Sequence, residues 1–125
     1  MRTLTFAFPL PPNLNREQTQ HWGAKHRQRK DWYALCDKLQ TYGKLPAPPV
    51  KPLARATVSA VLVMPAAMDE DNAFRRASKW PMDWLKTRGY IVNDTRKVLT
   101  WTGLPDQRIT RSEEHRVEIV IQEAA

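Results

Sequence analysis

One cysteine, four glycines and three histidines are all that this 125-residue chain holds of those residues, and each shortage excludes something. A lone Cys36 permits neither an internal disulfide nor a cysteine-based zinc site, and it suits a reducing compartment. It lies between Leu35 and Asp37 in a predicted helix, with nothing nearby to lower its pKa, so we expect a buried core thiol rather than a nucleophile. Four glycines form no phosphate-cradling loop, which leaves a nucleotide hydrolase without its main tool. His21, His26 and His115 show no metal-ligand spacing. The most apolar stretch, Ala56 to Met68, contains Thr57, Ser59 and Pro65 and falls short of the ~20 residues that span a bilayer. Met1 to Phe8 runs straight into Pro9, Pro11 and Pro12, which is too short and too proline-broken for a signal peptide. The expectation is a cytoplasmic protein with no membrane segment.

What the chain does have is positive charge and aromatic mass. Lys and Arg number 20 against 13 Asp and Glu, a formal charge of +7. A hydrophobic fraction of 42%, with five Trp and three each of Tyr and Phe, predicts one folded domain over 1–125 rather than a basic tail. The acidic residues are unevenly placed. Asp69, Glu70, Asp71 and Asn72 form a knot, and Asp83 and Asp94 follow it. A basic surface suits a polyanion, while clustered carboxylates suit a hard divalent cation acting on its phosphate.

Patterning predicts a mixed α/β (α+β) domain, a mixed sheet with helices packed on one face. Thr3 to Phe8 alternates as a first strand, and Pro9-Leu10-Pro11-Pro12-Asn13 ends it. A basic stretch from Arg16 to Lys30, with Trp22 interleaved, reads either as an arm tracking a nucleic-acid backbone or as a solvated loop. Helical spacing of Trp32, Leu35, Cys36 and Leu39 predicts a helix from about Gln28 to Tyr42, stopped at Gly43. Arg55 to Met64 is a central strand, and Ala73 to Arg88 a helix that Pro81 should kink or split. Lys97 to Thr102 is a strand, Gly103 to Asp106 a turn, and His115 to Gln122 a last alternating strand. Trp80, Trp84 and Trp101 are expected as core or interface anchors.

Two readings of the acidic knot compete. In an extended segment Asp69 and Asp71 point the same way and could share a Mg²⁺, with Asp94 returning as a third ligand. Alternatively, Asp71 or Asn72 caps the next helix, with Asp69 and Glu70 favouring its dipole. Asp71, Arg75, Lys79 and Asp83 recur every four residues, so they share one helical stripe, on which Asp71 and Arg75 could simply pair.

The motifs, taken in order, resemble those of the RusA-type Holliday junction resolvases of bacteria and their prophages. Pro9-Leu10-Pro11-Pro12-Asn13-Leu14-Asn15 is similar to that family's opening proline-rich motif, and Asp69-Glu70-Asp71-Asn72 to its D-x-D-N. Asp83-Trp84-Leu85 is similar to its D-x-L, Gly89 to Thr95 to its glycine-led segment ending in an acid, and Arg116-Val117-Glu118-Ile119 to its last strand. The resemblance implies a homodimeric endonuclease that cuts branched DNA, with Mg²⁺ (Mn²⁺ substituting) on Asp69, Asp71 and Asp94. It also implies a catalytic lysine four residues after the second Asp, where this chain has Arg75. Counting back four from Asp83 gives Lys79 instead, because of a short insertion around Ala77 to Pro81. Other classes are a non-catalytic DNA-binding protein of the same fold and a basic RNA-binding protein whose acidic knot is a helix cap.

Overall fold

The alternation seen in the sequence becomes one five-stranded sheet. The computed structural model describes residues 2–12 and 22–124; the predicted arm from Arg16 to His21 and the Asn13-Leu14-Asn15 part of the proline motif lie outside them. Strand β1 is Thr3–Pro9, helix α1 Trp22–Thr41, β2 Ala56–Met64, α2 Glu70–Thr87, β3 Leu99–Trp101, β4 Asp106–Ile109 and β5 Arg116–Glu123. The sheet order is β1-β5-β2-β3, with β1 and β2 both antiparallel to β5. Strands β3 and β4 share one edge of β2, both parallel to it: β3 faces Ala56–Val58 and β4 faces Val61–Met64.

Period-2 alternation puts Phe6 and Phe8, Val58, Leu62 and Met64, and Val117, Ile119 and Ile121 on one buried face. Both helices pack there: Trp32 and Cys36 of α1 join Trp80, Trp84 and Leu85 of α2 in the same hydrophobic cluster. The opposite face leaves Thr5, Ala7, Ser59 and Val120 exposed. The expected one-sided α+β architecture is therefore the observed one. Its centre is aromatic, with Phe8 edge-on to Trp84 at 5.6 Å and Trp84 stacked on Tyr90 at 5.3 Å. Cys36 is fully buried, and burial pushes its thiol pKa well up, as a core cysteine requires. No helix among the described residues is long and apolar enough to cross a membrane.

Four expectations need correction. Helix α1 starts at Trp22, so residues 22–30 of the basic stretch are helix, not arm or loop. Helix α2 starts at Glu70 rather than Ala73, and Pro81 does not split it in two. Pro81 removes only one i→i−4 bond, and the turn beneath it carries Ala77, whose small side chain is buried. The stretch after Gly103 is not only a turn, because it carries β4. Its sequence Asp-Gln-Arg-Ile has no apolar alternation. What makes it a strand is ladder pairing with β2.

An ionic staple locks the helices together. Asp37 on α1 accepts from Arg88 Nε (2.7 Å) and Nη2 (2.8 Å), just past α2, and from Trp84 Nε1 (2.9 Å). The Arg88 hydrogen bond holds the Asp37 carboxyl below the usual carboxylate range. The Asp37 side chain is 41% exposed, so the ion pair itself contributes little. The Trp84 indole is fully buried, and its N–H has much more to lose. We predict that Asp37→Ala destabilises the fold by about 2 kcal/mol in urea unfolding at pH 7 by orphaning that donor. A folded-state pKa below the unfolded one contributes stability above the unfolded value, lost as pH falls through the folded one. The gap between wild type and Asp37→Ala should thus narrow below about pH 4.

Candidate functional site

The acidic knot is a helix start. Asp69 has extended backbone angles (φ −65°, ψ 158°) and is the N-cap of α2. Its Oδ1 accepts the Asn72 N–H at 2.9 Å, and its Oδ2 accepts from Asn72 Nδ2 at 2.6 Å. Glu70 and Asp71 occupy the first turn, where the helix dipole favours negative charge. The chain enters this cap from a fixed direction. Gln107 of β4 pairs with Met68 like a backbone strand, accepting its N–H and donating to its carbonyl, both at 2.9 Å. On the far side, the half-buried Arg76 donates to the Pro11 carbonyl at 2.6 Å and ties the proline segment to α2. Burial lowers its pKa.

This geometry corrects the premise that Asp69 and Asp71 face together. Asp69 is the extended cap and Asp71 is already helical, so the period-2 repeat of a strand does not run through this segment. Carboxylate oxygens are the donor type Mg²⁺ takes. Among the described residues, however, no three His, Cys, Asp or Glu side chains stand together as a metal-holding group.

The stripe beyond the cap fares better. Arg75, Lys79 and Asp83 on α2 line one wall of a cleft of about 520 Å³. Arg29 and Tyr33 of α1 line it too, as do Asp94 and Arg96 of the loop before β3 and Trp101 of β3. Three of the five sequence-predicted site residues, Arg75, Lys79 and Asp94, meet here; Asp69 and Asp71 are not in the lining.

The charges in the cleft are divided unequally. Its carboxylates are already engaged. Asp83 accepts the Tyr33 hydroxyl and lies 3.5 Å from Lys86 Nζ, which stands 4.0 Å from Asp94 on its other side. Burial, reinforced by the Asp83 bond, raises the Tyr33 phenol pKa and keeps it a donor. Among the described residues, Arg29, Arg75, Lys79 and Arg96 make no ion pair. The possible Asp71–Arg75 pair does not form. Four cations without an ion pair among the described residues thus line one concavity, an arrangement chemically suited to an anion.

Sequence reasoning missed Arg96, Tyr33, Phe74 and Trp101 as site residues. Arg29 had a signal, being inside the basic stretch. Trp101 had none, since nothing local distinguishes a cleft tryptophan from a core one. Compared with known proteins, the chain matches no family model and no curated protein.

Proposed function

We propose that the protein holds branched DNA in the cleft between α1, α2 and β3 and cuts it as a Mg²⁺-dependent junction endonuclease. In this reading it works as a homodimer in the bacterial cytoplasm, encoded by the host or a prophage. The observation that carries it is the convergence of Arg75, Lys79 and Asp94, from two separate elements, on one cleft with four cations that make no ion pair among the described residues. DNA affinity is dominated by phosphate neutralisation, and cations without partners pay no cost of breaking an existing pair to do it. Lys79 and Arg75 hold the phosphate and offset the charge that develops on it during cleavage.

A second reading, binding without cutting, is favoured by one feature. Asp69 is engaged as a cap and Asp94 lies beside Lys86, so the carboxylates have structural work without a metal. Two variants separate the readings. Asp94→Asn should abolish junction cleavage while junction binding stays near wild type or tightens, because a phosphate-repelling charge is lost from the cleft. Asp71→Asn, outside the cleft, should reduce cleavage less. Wild-type protein that binds junctions but never cuts them establishes the second reading. Loss of folding in Asp94→Asn counts against any functional role for that residue.

A further inference from the structure

We infer that the cleft takes a single unpaired nucleotide, its phosphate on the cations and its base against the Phe74–Trp101 pair. This rests on the nucleic-acid reading above and specifies which part of the substrate enters. Phosphate alone requires only cations, yet the lining is also aromatic. Phe74 and Trp101 are both half-buried and meet edge-on, ring centroids 5.0 Å apart at 66°. Trp80, by contrast, is 3% exposed and belongs to the core. Cations beside part-exposed aromatic rings in one concavity are what an unstacked base with its phosphate requires. A volume of about 520 Å³ is of small-molecule size. A duplex presents phosphates to such a cleft but keeps its base faces stacked inside. A branch point or single strand offers a base at much lower unstacking cost.

Phosphate and base contributions separate when charge is held constant. The probes are a fluorescent dT15 strand and a 15-mer of identical backbone that is abasic throughout, titrated by anisotropy against the full-length protein. Wild type should bind dT15 roughly 10-fold more tightly than the abasic strand. Trp101→Leu should bring that ratio towards one, weakening dT15 binding much more than abasic binding. Trp101→Phe, which keeps a ring, should retain most of the ratio and shows that packing loss in β3 is not the cause. Equal wild-type affinity for both strands overturns the base site and leaves phosphate binding standing. An undiminished ratio in Trp101→Leu overturns the assignment of the base to this pair. Binding of neither strand at low salt removes the nucleic-acid reading, and this inference with it.

Discussion

Lys79→Ala slows single-turnover cleavage of a four-way junction by roughly 10²-fold or more, the loss expected when one preorganised charge leaves a phosphoryl-transfer site. Arg75→Ala costs less and acts mainly through affinity. Both side chains line the cleft, and neither is committed to an ion pair among the described residues. What separates them is position along α2. Lys86, which touches Asp94, is seven residues from Lys79 and eleven from Arg75. At 1.5 Å per residue those are axial separations of about 10 Å and 16 Å. Of the two, Lys79 is thus the cation nearer along α2 to the Asp83–Lys86–Asp94 group. Transition-state contacts appear in rate and uniform contacts in affinity, so single-turnover kinetics beside equilibrium binding resolves the two. The reverse ranking would place the reacting phosphate at the N-terminal end of α2, close to Asp71.

Junction affinity falls by about 10³-fold when salt rises from 50 to 200 mM. Each phosphate neutralised releases condensed counterions, and six contacts give a log–log slope of about −5. In the cleft, Arg29, Arg75, Lys79 and Arg96 meet the phosphate of the entering nucleotide and those flanking it along the strand. Arg27 and Lys30, exposed on α1 outside the cleft lining, are the candidates for two more. Isothermal or anisotropy titrations across that range measure the slope directly. A flat response would exclude phosphate as the main ligand, whatever the fate of the carboxylates.

Strands with one wet and one dry face were legible because alternation reports burial directly. Phe6 and Phe8, Val58, Leu62 and Met64, and Val117, Ile119 and Ile121 are the buried positions of those alternations. Strand β4 was not legible: edge pairing with β2 and the Gln107–Met68 clasp hold it, and neither leaves a local pattern. The acidic knot was legible in part: a capped helix start was one of its two readings, with the cap expected at Asp71 or Asn72 and found at Asp69. Asp69 followed by two acids and Asn72 is the composition of a capped first turn, and an extended reading gives that signal too little weight. The stripe of Arg75, Lys79 and Asp83 was legible because helical period fixes it. Its opposing wall was not, since Arg29, Arg96 and Trp101 come from three separate elements that only the fold brings together.

The most direct test of a junction-cutting role is a nicking assay on a synthetic four-way junction beside a linear duplex of identical sequence, each with Mg²⁺ and with EDTA. Cleavage of the junction alone, abolished by EDTA and by Asp94→Asn, is the predicted result. Protein that binds the junction with the predicted salt slope yet leaves both substrates intact at every Mg²⁺ concentration would contradict it.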